Sequence, residues 1–312
     1  MLSSKGFNTE DRLSAASGGN NTYTYSDASG DYKIHKFTAD GTLTINLPMP
    51  LDILVVAGGG SGGGTGARGA GGAGGLRWFT DQHLVSGAYV CTIGAGGGDP
   101  PASDTVGNNG ANSSFVKSGT ISISATGGGA GGGDASAPQK NGNTGGSSGG
   151  TNWDGTATAG NAGNYTPVEG YGGGNASTSG SYGGGGGGGA GGAAGNGSPS
   201  AGGDGGVGED NFLNQSSAAF TQAKTTAFLS AASAGELVSG VRYIAGGGGG
   251  GLYTSGSAKA GGHGGGGDGG YGASTAGTNG TANTGGGGGG GSNTVKGGQG
   301  GSGIVIIRYR LH

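Results

Sequence analysis

Glycine supplies 92 of the 312 residues, charged residues only 10%, and the net charge is −3. So little positive charge argues against a nucleic-acid partner, and so little charge of either sign separates the chain from ordinary disordered segments. The single cysteine, Cys91, excludes an internal disulfide framework, and no apolar run reaches the length of a membrane-spanning helix.

Residues 1–19 are small and polar and read as a tail or docking segment. The opening Met1-Leu2-Ser3-Ser4-Lys5-Gly6-Phe7 lacks the apolar centre of a secretory signal, so synthesis in a cytosol is expected. From Asn20 the text alternates with period two. Thr22–Ser26, Tyr32–Phe37 and Thr42–Ile45 are predicted strands, with turns at Asp27–Asp31 and Asp40-Gly41. Pro48 and Pro50 end this series before Ile53–Ala57, a continuous apolar run of the kind buried on both faces. Leu76–Phe79, Tyr89–Ile93, Ser114–Lys117, Thr120–Ser124, Val241–Ala245 and Ile304–Tyr309 complete about ten short strands. They predict an all-β fold, an antiparallel sandwich of jelly-roll type.

Between these strands glycine dominates. Only five glycines lie in the first 57 residues and none follows Gly303; the rest crowd into runs such as Gly183–Gly189, Gly246–Gly251 and Gly285–Gly291. A disordered tract needs no strand to close it, whereas an insertion within a β fold does. Each glycine fixed in regular structure costs about 0.5–1 kcal/mol relative to alanine, and only dense backbone hydrogen bonding, at about 1 kcal/mol net per bond, can compensate. Threefold polyproline-II-like helices supply it. They make no internal hydrogen bonds, so every N–H and C=O points outward, and without Cβ atoms they pack in a hexagonal array. Collagen is ruled out by the absence of a Gly-X-Y phase and by seven prolines. A calcium β-roll fails because Gly266-Gly267-Asp268-Gly269 does not repeat at nine residues.

The expected organisation is therefore a β-sandwich from 20–126 with 300–312, and a polyglycine-II bundle with loops over 127–299. Further rods come from 57–75 and 94–98. One stretch, Asn211–Glu236, carries Phe212, Phe220 and Phe228 among Ala, Ser, Gln and Lys. It reads either as a short helix over about 211–234, N-capped at Asp210 or Asn211 and closed by Gly235, or as a loop.

The chain resembles the glycine-rich domains of bacteriophage tail-fibre and adhesin proteins. The resemblance rests on ordered pieces: Phe37–Ile45, Ile53–Gly60, Gly69–Leu76, Ser86–Gly97, Ser113–Phe115, Thr126–Gly129, Arg242–Ala245, and Gly300–Tyr309. It covers about residues 20–310. The domain is distantly similar to the glycine-rich extracellular portion of an animal receptor tyrosine kinase family, in which polyglycine helices emerge from a TNF-like sandwich. The resemblance implies a virion structural protein of the tail or fibre surface. Its expected partners are other virion proteins, through the N-terminal segment, and a host-surface polysaccharide or outer-membrane protein; a homotrimer is the assembly it suggests. Two features depart from the family. Asn211–Gly240 is longer than the usual serine-rich link, and residues 1–19 do not read as a long fibre shaft, so a stand-alone virion protein rather than a fibre tip is expected.

Chemistry for catalysis is not legible. Gly-x-Gly-x-x-Gly recurs by chance in this composition without a Walker lysine. His35, His83, His263 and His312 lack ligand spacing, and His35 reads as a strand surface residue. Asp99, Asp134, Asp204 and Asp268 flank glycine runs, where they shape turns. No enzyme activity, metal or cofactor is expected. Trp78 and Phe79 read as core. Trp153, Tyr165, Tyr171, Tyr182, Tyr253 and Tyr271 interrupt the glycine-rich stretches instead. They are the candidate receptor contacts, with capping of the bundle ends against water as the competing reading. Decoration without a receptor role and an ice-binding or matrix role, using a flat bundle face, remain the alternatives.

Overall fold

The computed structural model describes residues 12–27, 29–66, 68–101, 105–133, 140–214, 222–254, 256–257 and 259–311. Two antiparallel five-stranded sheets form a sandwich. The first takes β1 (Ala16–Ser17), β4 (Gly41–Ile45), β7 (Gly87–Thr92), β8 (Ser113–Lys117) and β9 (Ile121–Ala125), in the order β1-β4-β7-β8-β9. The second takes β2 (Asn21–Asp27), β3 (Gly30–Phe37), β5 (Met49–Val56), β6 (Leu76–Leu84) and β12 (Ile304–Arg310), in the order β2-β3-β12-β5-β6. The chain's last strand is thus inserted at the centre of the second sheet, between β3 and β5. This explains the apolar runs in both strands. Ile53, Val55, Val305, Ile307 and Tyr309 face the space between the sheets, against Leu43, Tyr89, Cys91 and Phe115. Leu54, Val56, Ile304 and Ile306 face the other way and are equally buried.

What covers that second face is the segment left open by the sequence. A 3₁₀ turn at Phe212–Asn214 and helix α1 (Gln222–Ala231) lay Phe212, Leu213, Phe228 and Leu229 on it. Trp78 meets Phe212 and Phe228 at ring-centroid distances of 5.3 and 5.5 Å. The helix does not run on from an Asn211 cap through the first turn, which is 3₁₀, and Phe220 lies outside the described residues. Its C-terminus departs from the glycine expectation. Ala234 N–H donates to Leu229 and Ser233 N–H to Ser230, with Ser233 at φ +48°, a Schellman closure in which serine holds the left-handed position. Gly235 follows at φ +69° and starts the hairpin of β10 (Glu236–Val238) and β11 (Val241–Tyr243). The predicted strand at 241–245 pairs with β10 and is not part of the sandwich.

Beneath Phe228 sits Arg308, fully buried in β12. Its Nε donates to Asp52 Oδ2 at 2.8 Å and its Nη1 donates to the Tyr25 hydroxyl. The guanidinium lies 4.7 Å from the Tyr32 ring centroid and 5.2 Å from that of Phe228. A buried cation is tolerable only with such a carboxylate and such π faces around it.

Three expectations are corrected. His35 is buried, because β3 lies between β2 and β12 and its side chain faces the inter-sheet core. Its Nδ1 contacts the Gly18 carbonyl at 2.7 Å, it stacks on Tyr309, and burial lowers its pKa. Pro50 does not end a strand but lies within β5. It pairs with His83 of β6 beyond the reach of β12, which pairs only from Asp52 onward, so the missing N–H breaks no ladder there. Part of the 1–19 tail belongs to the sandwich: Ala15 and Ala16 are buried and β1 pairs with β4. No helix among the described residues is long and apolar enough to cross a membrane.

Candidate recognition site at the far end of the glycine bundle

The glycine runs form a hydrogen-bonded lattice whose period is three. Along 183–190, Gly184, Gly187 and Ala190 donate to Gly251, Gly248 and Ala245. Gly185 and Gly188 donate to Thr151 and Ser148, and Gly186 and Gly189 to Gly195 and Gly192. Three further segments donate back: Gly203 and Gly206 to the carbonyls of Gly184 and Gly187, Ala70 and Ala73 to Gly185 and Gly188, Gly174 and Tyr171 to Gly186 and Gly189. Six neighbours around one rod, each reached by every third residue, is the hexagonal packing of polyglycine-II helices. A Cβ built on Gly187 would lie well under 3.0 Å from the Gly71 carbonyl oxygen, so glycine is required there by the approach of the next backbone.

At the periphery the same period decides where side chains sit. Along 201–208, Gly203 and Gly206 donate inward and Gly205 and Gly208 donate to the neighbouring segment at Ala260 and His263, while Asp204 and Val207 are exposed. Asparagines close the edges, a role the sequence reading did not assign them. Asn109 and Asn112 accept from the N–H groups of Ala130 and Gly127 at 2.9 and 2.8 Å, repeating the lattice spacing with side-chain carbonyls. Asn175, Asn196 and Asn279 do the same for Ala157, Asn175 and Gln299. The clue was there in the Asn-x-x-Asn spacing within a glycine-rich stretch.

One end of the bundle is fixed to the sandwich. Ala57 follows β5, Gly75 leads into β6, Thr126 follows β9 and Gly303 leads into β12. Rods therefore run out and back, with one set of turns near the sandwich and another at the far end. Arg68, at the turn after the first outgoing rod, accepts from Gly251, whose own carbonyl accepts from Gly184. Thr151 lies at the same level through Gly185. Trp153, Tyr182 and Tyr253 each fall two residues beyond that level and so sit together on the far end.

There the structure brings four of the six candidate rings into one region. Trp153 and Tyr182 are in contact in a tilted arrangement, with centroids 4.3 Å apart and planes at 35°. Tyr253 N–H donates to Ser181, Thr254 Oγ1 donates to Ser181 Oγ, and Gly272 N–H donates to Thr254, which draws Tyr253 and Tyr271 alongside. Tyr253 is exposed; the other three are half-buried. Trp153 and Tyr182 also share a backbone conformation that bulky residues avoid, φ +50° and +49°. The remaining two rings lie elsewhere. Tyr165 is at the sandwich end, with the Arg77 guanidinium 3.7 Å from its centroid. Tyr171 is exposed on a flank, where its N–H donates to Gly189.

Among the described residues, the lysines around this end are matched. Lys140 pairs with Asp154 at 2.8 Å, Lys259 with Asp204 at 3.4 Å, and Lys296 with Asp99. Hydrogen bonds from Lys296 and Lys140 hold the Asp99 and Asp154 carboxyls below their usual range. Asp268 Oδ1 instead accepts from Gly261 N–H, while Asp134 lies outside the described residues. The arrangement can offer apolar ring faces, hydroxyls and amides on a rigid support, and little net charge.

A family model described as a glycine-rich domain matches residues 38–310, nearly the whole chain. The chain belongs to the glycine-rich domain family. No curated protein and no solved structure matches this glycine-rich domain.

Proposed function

We propose that this glycine-rich domain protein is a non-enzymatic bacteriophage virion component of the tail-fibre or adhesin type, presenting loops for host-surface recognition. The observation that carries the reading is the polarity of the molecule. The rods that follow β5 and β9 and those that lead into β6 and β12 are anchored at the sandwich end, the remaining rods bond to them, and the turns at the opposite end carry the exposed and strained aromatic residues. A side-chain-poor lattice has little to offer as a catalytic cleft, but it holds loops at a fixed distance from a base. Binding sites are commonly built that way, on loops positioned by a rigid scaffold. Other virion proteins are the partners this reading expects for the N-terminal segment.

Immunogold labelling of the phage particles encoding the chain tests this reading, together with adsorption in the presence of antiserum raised against the folded protein. The expected outcome is label at the tail or its fibres and reduced adsorption. Label elsewhere, or none, removes the assignment; label with unaltered adsorption reduces the protein to decoration.

A further inference from the structure

We infer that the Trp153–Tyr182 pair is the platform of a subsite for a neutral glycan, an inference that rests on the host-recognition reading and names its ligand class.

Three observations converge. The first is conformational: among the described residues, Trp153 and Tyr182 are the two aromatic residues held at positive φ, and they are in contact. Left-handed backbone costs a bulky residue of order 1–3 kcal/mol and persists where the surroundings or a function enforce it. Glycine, abundant in this chain, would fill both turns at no such cost. Two separate turns, 29 residues apart in sequence, carry the same unfavourable choice and meet at one place. The second is placement: both rings are half-exposed at the end farthest from the sandwich, where neither contributes to either apolar core. The third is electrostatic: Lys140, Lys259 and Lys296, the lysines at this end, are each engaged by an aspartate, and Arg68 is buried, donating to the Gly133 carbonyl. A phosphorylated or sulfated polymer requires open cationic groups, and these are already matched.

The chemistry that remains is a ring surface bordered by the hydroxyls of Ser181 and Thr254 and the main chain of the turns. A pyranose offers its complement, an apolar C–H face to lie on an aromatic ring and a rim of hydroxyls to exchange hydrogen bonds. Aromatic side chains suit such contacts because they supply a large apolar face at low conformational cost.

Glycine is the informative substitution, because it removes each ring while relieving the backbone. The probes are dextran, mannan, galactan and dextran sulfate, applied by affinity electrophoresis and by tryptophan fluorescence. Trp78 is buried, so a ligand-dependent signal reports Trp153. The expected result is that at least one neutral polymer retards the protein and changes its fluorescence. Trp153→Gly and Tyr182→Gly should each weaken this about tenfold or more with an unchanged or raised melting temperature, while Tyr165→Ala leaves binding intact. Binding of dextran sulfate alone, neutral binding indifferent to both glycine variants, or no retardation by any polymer overturns the inference. The last outcome, combined with tail labelling and antiserum-blocked adsorption, would leave the recognition reading standing with a protein receptor in place of the glycan.

Discussion

The sandwich and the glycine bundle are both densely packed, but by opposite means. In the sandwich, side chains fill the space: Ile53, Val55, Ile307 and Phe115 are wholly buried, and backbone groups pair only along strands. In the bundle, the backbone itself fills the space, and a central rod bonds to six neighbours through groups that a strand would share between two. A side-chain core tolerates a change of volume by shifting rotamers, at some cost. A backbone lattice has no rotamers to shift. The difference teaches that glycine is permissive in isolation and becomes the least replaceable residue when carbonyls approach from every side.

The sharpest way to break that comparison is Gly187→Ala. Its Cβ would displace the Gly71 carbonyl in a rod whose other contacts are also backbone. We expect more than about 5 kcal/mol of destabilisation, or no folded protein, by urea unfolding. A cost near the ordinary 1–3 kcal/mol of an overpacked core would show that the lattice can yield after all.

Next comes Asp52→Asn in the sandwich, which leaves the buried Arg308 guanidinium without its carboxylate. A loss of about 3–5 kcal/mol is expected in the same assay. Replacing both partners, Asp52→Leu with Arg308→Met, should recover much of it, since an apolar pair of similar volume pays no desolvation cost.

Alkaline pH should act on the sandwich, where the ionisable core groups lie. Burial pushes the Cys91 thiol up to about 12 and the Tyr309 phenol up to about 12. Both folded values exceed the unfolded ones, near 8.5 and 10. Their contribution is therefore intact below the unfolded value and falls as pH rises from there toward about 12, at most about 1.4 kcal/mol per pH unit for each group. Unfolding midpoints at pH 8 and 10.5 measure it, and alkylation of Cys91 at pH 8 should require unfolding.

Two smaller effects refine the edges of the bundle. Asn112→Ala removes the side-chain acceptor from Gly127 N–H and should cost about 1 kcal/mol, with faster amide exchange at Gly127. Gly98→Ala is the counter-example to Gly187. A Cβ at Gly98 meets nothing within 4 Å, so the substitution should be neutral or add about 0.4–1 kcal/mol by restricting the unfolded chain. Destabilisation at Gly98 would mean that solvent-facing glycines are also constrained.

Much of the fold was legible because its signals are local. Period-two alternation marked β2, β3 and β4, a continuous apolar run marked β5 as buried on both faces, Ile304–Tyr309 read as a strand, and runs of glycine without a triplet phase pointed to threefold rods. The errors were of partnership. His35 reads as a surface residue until β12 is known to lie beside β3, and the Val241–Tyr243 strand gives no sign that it pairs with Glu236–Val238 and stays out of the sandwich. The aromatic candidates were all visible as interruptions, but which rings share a surface was not. Trp153 and Tyr182 meet, Tyr165 lies over Arg77 at the other end, and Tyr171 stands on a flank. A double substitution of Trp153 with Tyr171 would therefore probe two unrelated places. The helical cover was half legible. Its phenylalanines suggested burial, but the sheet face that receives them was hidden.

The amino-acid order by itself determined the kinds of element: alternation makes strands, and glycine without side chains makes rods that must bond outward. Tertiary structure decided which rods adjoin, which asparagines close the edges and which turns share the far end. Those choices depend on carbonyls and N–H groups that are identical in every glycine, so the sequence carries no label for the partner. Only the closing of the lattice against the sandwich selects it.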